Sequence, residues 1–228
     1  MRRSSETLHK IRAHPLLGKL SRANSERLRT YAKQRTFRRG AIIFRKGDAG
    51  AELVAVLSGI VKISTPGPDG REVILNMIQA GEVFGEIALL DHQGRSADAI
   101  AATDCELLFI HRRDVNALLR AQPDLALKLS EVACARLRQT SEQVEDAFFL
   151  DLRARLAKAL LRLCEQAGGS RPARIELTQQ ELSQRIGMSR EATNKQLRRW
   201  AKAGLIELDR AAIVVLMPDA LAKAAQRR

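Results

Sequence analysis

Short apolar runs separated by glycines fill residues 41–78, and this pattern limits the fold more than any other feature of the chain. The β-prone runs are AIIF, ELVAVL, IVKIS and EVILNMI, and glycines stand near them at positions 40, 47, 59, 70 and 81. Turn residues at intervals of about 8–12 are typical of an all-β sandwich or roll. The run PGPDG at 66–70 predicts a hairpin tip within it. We therefore expect a compact β-roll, preceded by short helices within 6–32 and completed by the strands ADAIAA and CELLFI.

The β pattern is interrupted at 81–102 by the stretch GEVFGEIALLDHQGRSADAIAA, which contains the residue types of an anion site. Its glycines tolerate unusual dihedrals and allow a ligand to approach the backbone closely. Residues 84–90 predict a short helical turn whose free N–H groups face an anion. Arg95 supplies a planar fork suited to phosphate, and Ser96 adds a hydroxyl beside it.

Glu86 lies in the same stretch and would repel a phosphate, so its role must differ from that of Arg95. An acid at such a position suits a ribose 2′-OH, which is the role an acid has in dinucleotide sites. The alternative is a surface ion pair between Glu86 and Arg95 on a turn, worth at most ~1 kcal/mol.

The order G-E-x-F-G-E-x-A-L-L, followed by R-S-A after a four-residue gap, resembles the phosphate-binding cassette of the cyclic AMP receptor protein family. In that family a glycine–glutamate pair and an arginine–serine pair hold the ribose and the cyclic phosphate. The resemblance implies cAMP as the allosteric effector, with cGMP as the alternative. The implied nucleotide-binding residues in the cassette are Gly85, Glu86, Ile87, Ala88, Arg95, Ser96 and Ala97.

A heptad-like stripe begins after Pro123 and predicts a long helix with a dimer seam. The alternative is one amphipathic helix packed on its own domain, and the serines on the stripe weaken a purely apolar seam. The family resemblance extends to the pair Thr140 and Ser141, which it assigns to the nucleotide base, the threonine from the same subunit and the serine from the partner. The stripe, with steps of three and four, is Leu127, Ser130, Cys134, Leu137, Ser141, Val144 and Phe148.

The stretch 178–204, TQQELSQRIGMSREATNKQLRRWAKAG, predicts a helix-turn-helix. Thr178 and Glu181 make a capping box, Gly187 supplies the turn, and Ser189 caps the second helix. We expect a packed stripe at Thr193, Leu197, Trp200 and Gly204. The roughly opposite, outward face then contains Arg190, Glu191, Asn194, Lys195, Arg198 and Lys202.

The run S-R-E-A-T-N-K is similar to the recognition helix of the same family, with a solvated charged face as the alternative. Arginine suits guanine O6/N7 and glutamate accepts from cytosine N4, so Arg190 and Glu191 are the expected base readers. Lys195 stands where the family often has a second arginine, and Arg210 is the expected substitute for the family's glycine–lysine wing tip. The candidate DNA-binding residues are Thr178, Gln180, Ser189, Arg190, Glu191, Asn194, Lys195 and Lys202.

Charge and hydropathy support a nucleic-acid partner. The net charge is +13, and residues 151–228 contain 16 Lys/Arg against 8 Asp/Glu. This excess favours a polyanion, nucleic acid ahead of membrane. No stretch approaches ~20 continuous apolar residues and the N-terminus lacks a secretory apolar region, so we expect a cytoplasmic protein without a membrane span. Three widely spaced cysteines predict buried free thiols rather than disulfides or a metal site.

The predicted class is α+β: a cyclic-nucleotide-binding β-roll with N-terminal helices at 1–122, a dimerisation helix and hinge at 123–150, and a winged helix-turn-helix at 151–228. Asp151 is the expected N-cap of a helix ending at glycines 168–169, and IEL at 175–177 is the expected next strand.

The resemblance implies a homodimeric transcription regulator that binds a palindromic, TGTGA-like double-stranded DNA site, with RNA polymerase as a further partner near the loop 168–174. One alternative is a regulator of the same architecture that senses a redox or gas signal. The other is an enzyme using Glu82, Glu86, Asp91 and His92, but no metal-ligand spacing or nucleophile–base pair supports catalysis.

Overall fold

The structure is a computed structural model that describes residues 2–67, 72–166, 172–209 and 212–226, with side chains from residue 8 onward. It divides into two compact units, Met1–Thr65 with Leu75–Leu137, and Pro66–Ile74 with Arg138–Arg228. The expected hairpin tip at 66–70 lies partly outside the described residues, and the glycines at 168–169 lie wholly outside them.

The first unit contains most of a β-roll made of two four-stranded sheets, with strand orders β1-β8-β3-β6 and β2-β7-β4-β5. The strands are β1 Lys33–Phe37, β2 Ile42–Phe44, β3 Glu52–Ser58, β4 Ile60–Pro66, β5 Glu72–Gln79, β6 Val83–Phe84, β7 Asp98–Ala101 and β8 Cys105–His111. The helices α1 (Arg2–Ala13) and α2 (Arg22–Tyr31), with a 3-10 helix at Leu17–Lys19, precede them as the apolar spacing predicts.

The burial of strand β3 on both faces explains why its sequence is a continuous apolar run rather than an alternating one. Successive side chains of a strand point to opposite faces of the sheet. Val54 and Val56 belong to a core cluster with residues from both sheets, whereas Leu53 and Ala55 pack with the helices. Both faces of β3 are therefore buried, and polar alternation is absent.

Three elements of this unit differ from the sequence expectation. Strand β1, KQRTF, is largely exposed and polar at a sheet edge, so no hydrophobic period marked it. Helix α4, Arg112–Ala121, begins after His111 and was not predicted. The helical turn expected at 84–90 is α3, Glu86–Asp91, because Phe84 pairs with β3 as the end of β6.

Helix α5, Pro123–Phe149, is 27 residues long, and its own chain buries only its beginning, at Leu125 and Leu129. The large apolar residues of the predicted seam are all exposed, Leu137 to 68% and Phe148 to 81%. The alternative in which this stripe packs on its own domain is therefore wrong for them. Cys134 on the stripe is also exposed, so the expectation of a buried thiol is wrong for it. The expectation is confirmed for Cys105 and Cys164, which are buried.

The second unit continues with α6 (Leu152–Gln166), whose Ala154 N–H donates to the Asp151 carboxylate at 2.7 Å, as expected of an N-cap. Strand β9 is Ala173–Ile175, two residues before the expected position. Helices α7 (Gln179–Arg185) and α8 (Arg190–Lys202) follow, then strands β10 (Ile206–Asp209) and β11 (Ala212–Val215) and helix α9 (Pro218–Ala225). The three strands form one sheet, ordered β10-β11-β9.

The α+β class is confirmed, with a β-roll, a long helix and a helix-turn-helix in that order. Within the described ranges, no helix combines the length and the apolar character needed to cross a bilayer.

Candidate ligand site and nucleic-acid interface

The cassette is built on a direct contact between Gly85 and Arg95. Gly85 precedes α3 with a φ of +84°, in the left-handed region that glycine adopts without strain. A Cβ at this position would overlap Nη1 of Arg95, and this nitrogen donates to the Gly85 carbonyl at 3.2 Å. The absence of a side chain at Gly85 therefore allows the guanidinium to lie against the start of α3.

Arg95 is a buried cation with an unused donor. Its side chain is 5% exposed, and its guanidinium lies 4.2 Å from the centre of the Phe44 ring. Its Nε–H is buried and has no hydrogen-bond partner in the described part of the chain. Burial lowers the pKa of Arg95, while the carboxylates of Glu52 and Glu86 raise it. An orphaned donor on a buried permanent cation fits an anion such as a cyclic phosphate.

Glu86 is 2% exposed and pairs with Arg136, whose Nη1 lies 2.6 Å from the Glu86 Oε2. The same guanidinium donates through Nη2 to the carbonyl of Val83, two residues before Gly85. A surface ion pair between Glu86 and Arg95 is therefore wrong, because both residues are buried and Glu86 pairs with a helix residue. Sequence reasoning missed Arg136, although its place one helical turn before Thr140 was an available signal.

The backbone of Arg95 is held by the loop between β2 and β3. Its N–H donates to the carbonyl of Asp48 at 2.8 Å, and its carbonyl accepts from the N–H of Gly47 at 2.8 Å. An isolated β-bridge between Ala49 and Gly94 continues this pairing. The orientation of the arginine therefore depends on a segment about 47 residues earlier in the chain, which no local motif indicates.

The remaining predicted cassette residues divide by exposure. Ala88 and Ala97 are buried, whereas Ile87 and Ser96 are exposed.

Thr140 and Ser141 are both exposed on α5, in the part that belongs to the second unit. Consecutive helical residues point about 100° apart, so the two hydroxyls face different directions.

The local structure of the helix-turn-helix is confirmed in detail. Thr178 Oγ1 accepts from the Glu181 N–H at 3.1 Å, and the Glu181 carboxylate accepts from the Thr178 N–H at 2.8 Å. Gly187 has a φ of +64° in the turn, and Ser189 caps α8 by accepting from the Ala192 N–H at 3.2 Å. The hydroxyl of Thr178 is thus already engaged within the capping box.

Helix α8 buries Thr193, Leu197 and Trp200, as predicted. The expectation for Gly204 is wrong, because α8 ends at Lys202 and the exposed glycine follows it with a φ of +70°. Asn194 is only partly outward: its side chain is half-buried, and its Oδ1 is buried without a partner among the described residues. The exposed members of the candidate DNA-binding set are Gln180, Ser189, Arg190, Glu191, Lys195 and Lys202, and Arg198 is exposed beside them.

The wing strands β10 and β11 pair antiparallel, from Ile206 opposite Val215 to Asp209 opposite Ala212. Arg210, the expected substitute at the wing tip, lies outside the described residues, as does most of the loop 168–174. In the portion that is described, no group of three or more His, Cys, Asp or Glu side chains is arranged to hold a metal ion.

Two family models match this chain. The cyclic nucleotide-binding domain covers residues 34–122, and the Crp-like helix-turn-helix domain covers residues 154–224. A CRP-like cAMP-activated global transcriptional regulator of Mycobacterium tuberculosis is 33% identical over 194 residues, which are 83% of this chain and 87% of that protein. The cyclic AMP receptor protein of Thermus thermophilus is 34% identical over 198 residues, 87% of this chain and 90% of that one.

Among solved structures, the c-di-GMP responsive global regulator CLP of Xanthomonas campestris superposes with a TM-score of 0.76 at 25% identity, covering 86% of this chain and 99% of that chain. A cyclic-nucleotide-binding roll and a helix-turn-helix in one chain define a ligand-binding transcription regulator. The chain belongs to the cyclic AMP receptor protein family of such regulators.

Proposed function

We propose that this protein is a homodimeric transcription regulator whose DNA affinity is set by a cyclic nucleotide, with cAMP favoured and cGMP as the second choice. The observation that carries the proposal is the buried Arg95, whose Nε–H has no partner in the described chain and whose guanidinium adjoins Gly85. A cyclic phosphate supplies the missing charge and acceptor. Glu86 supplies a buried acid for the ribose 2′-OH. A redox or gas sensor would leave the orphaned Nε–H of Arg95 without a ligand.

Thr140 and Ser141, which the family resemblance assigns to the base, fit either cyclic nucleotide. Hydroxyls both donate and accept. They can therefore accept from the adenine amino group or donate to the guanine carbonyl, and the preference for cAMP comes from the relatives that are named for it.

The dimer is proposed from helix α5. Leu127, Leu137, Val144 and Phe148 follow a seam of three- and four-residue steps, and each is more than half exposed in the single chain. Exposed large apolar residues at such spacing favour a second helix of the same kind across a two-fold axis. We assign residues 123–150 to this dimerisation segment, between the roll at 1–122 and the DNA-binding domain at 151–228.

The DNA site is proposed to be a palindrome with TGTGA-like half-sites, because a two-fold dimer presents one recognition helix to each half-site about one helical turn, ~34 Å, apart. Arg190 is assigned to guanine and Glu191 to cytosine, both from the exposed first turn of α8. RNA polymerase as a partner near the loop 168–174 is also a proposal from the family resemblance.

The test is a DNA-shift titration of the full chain on a palindromic TGTGA-containing duplex, without ligand and with cAMP, cGMP or non-cyclic 5′-AMP. We expect cAMP to tighten binding by about 5–150-fold, the usual range of allosteric coupling, and 5′-AMP to have no effect. Because coupling is reciprocal, the duplex must tighten cAMP binding by the same factor in calorimetry. Identical shifts in all four conditions would contradict the proposal.

A further inference from the structure

Arg112, the first residue of α4, connects three segments around the cassette. Its Nη2 donates to the carbonyl of Gly50 at 2.5 Å and to the carbonyl of Ala88 at 2.7 Å. Its Nη1 lies 2.6 Å from Nδ1 of His92, the residue that follows α3. One guanidinium thus joins a loop, a helix and the turn after that helix.

Two of these segments carry or hold the site residues. Ala88 lies on α3 two residues after Glu86, and carbonyls in the last turn of a helix lack intrahelical partners. Gly50 lies in the loop whose Gly47 and Asp48 hold the backbone of Arg95. Arg112 therefore ties the helix that carries Glu86 to the loop that holds Arg95.

The loop and the helix touch directly at this point. A Cβ added to Gly50 would overlap the Cβ of Ala88, so the two backbones already lie as close as side chains permit. Removing the guanidinium would leave the carbonyls of Gly50 and Ala88 without these bonds. The loop and α3 would then lose one of the links between them, and Glu86 would move relative to Arg95.

We propose that Arg112 is a positioning residue that sets the spacing between Glu86 and Arg95 and thereby the recognition of the ribose 2′-OH. This inference rests on the proposed cyclic-nucleotide function. The arginine type matters, because a planar fork reaches several acceptors at once and a lysine ammonium does not. The charge of Arg112 also adds to the positive potential of the site. It is near enough to Arg95 to lower the pKa of that guanidinium.

Arg113 provides a matched control. It is the next residue of α4, its side chain is 81% exposed, and it lies 3.6 Å from the carboxylate of Asp114. Arg113→Gln removes the same charge from the same helix turn, so a general effect of lost charge or helix stability appears in both variants. A specific effect on the cassette appears only in Arg112→Gln.

The experiment compares cAMP with 2′-deoxy-cAMP, by calorimetric titration of the wild type, Arg112→Gln, Arg112→Lys and Arg113→Gln. The ratio of the two affinities reports contact with the 2′-OH, and a merely structural role would not move it. We expect Arg112→Gln to lose about tenfold in cAMP affinity, because hydrogen bonds to charged groups are the strong ones. We expect Arg112→Gln to lose much less affinity for 2′-deoxy-cAMP. We expect Arg112→Lys to recover part of the cAMP affinity, and Arg113→Gln to bind both nucleotides with wild-type affinity.

The possible failures are distinguishable. A wild type that binds neither nucleotide overturns the proposed function and this inference with it. A wild type that discriminates, with an unchanged ratio or equal losses for both nucleotides in Arg112→Gln, overturns the positioning role alone. Should Arg112→Gln fail to fold, Arg112→Lys decides: a wild-type ratio there also overturns it.

Discussion

Glu86 and Arg136 form an ion pair, with Oε2 of the acid 2.6 Å from Nη1 of the arginine and 3% and 18% of their side chains exposed. The pair connects the cassette helix α3 with the long helix α5. A buried carboxylate requires such a partner, because desolvation of an unpaired charge is costly. The acid assigned to the ribose is therefore oriented by the helix that carries the proposed dimer seam.

Arg136→Met is expected to destabilise the fold by about 3–5 kcal/mol, because it leaves Glu86 buried and unpaired. The double variant Glu86→Gln with Arg136→Met is expected to recover much of this loss, since the uncompensated charge is gone. Urea denaturation of the two single variants and the double variant measures the coupling. Strictly additive losses in this cycle would show that the two side chains do not interact energetically.

Arg95→Ala is expected to abolish nucleotide binding while the protein stays folded, because the phosphate loses its buried cation. Truncating one member of a desolvated charge pair costs about 2–5 kcal/mol, a loss of roughly 30-fold or more in affinity. Calorimetric titration with cAMP measures it. Arg38→Ala is the control, since that side chain is 92% exposed and pairs with Asp104, a residue outside the stretch 81–102. Near-normal affinity in Arg95→Ala would remove Arg95 from the site.

Contacts of α8 with DNA bases can be distinguished from its contacts with DNA phosphates by how the DNA affinity depends on salt concentration. Arg190→Ala is expected to relax preference at one guanine position and to cost about 1–3 kcal/mol on the specific site. Lys202→Ala, in the last turn of the helix, is expected to weaken binding to all sequences and to reduce the salt slope by about 1. Fluorescence anisotropy over a salt series, on specific and scrambled duplexes, measures both. Equal effects on the two duplexes in Arg190→Ala would contradict a base-reading role.

Acid is expected to destabilise the first unit through His14. Burial lowers the pKa of this histidine, opposed by a hydrogen bond to the Glu82 backbone. Its Nδ1 accepts from the N–H groups of Leu16 and Leu17 at 3.2 and 3.3 Å, which a protonated ring cannot do. Because the folded pKa lies below the unfolded value of ~6.5, this stability is present above pH ~6.5 and is lost as pH falls towards the folded pKa.

The measurement is the free energy of unfolding between about pH 7.5 and 5, where a histidine with a lowered pKa acts. His14→Asn is expected to be less stable at neutral pH but to have a flatter pH slope. His9→Asn serves as the control, because His9 is exposed on α1. A slope unchanged by His14→Asn would assign the acid sensitivity to other groups.

Several features could be read from the sequence because they are local. The capping box of Thr178 and Glu181 and the N-cap at Asp151 need only residues three positions apart. The β-runs follow from apolar residues and glycine spacing, and the cassette from an ordered set within 81–102. In the two caps the interacting groups are neighbours in the chain, so their spacing specifies their geometry, whereas for the β-runs and the cassette the local pattern specifies the element but not its partners.

The tertiary structure decided the features that join distant segments. Glu86 meets Arg136 fifty residues later, and Arg112 reaches the carbonyl of Gly50 sixty-two residues earlier. Asn194 has the spacing of an outward residue, yet part of its amide is buried by neighbouring structure. Sequence spacing along one element indicates a face, but long-range packing decides what covers that face and which charges meet. The chain thus determined by itself which residue types the site uses, and only the fold determined how they are held.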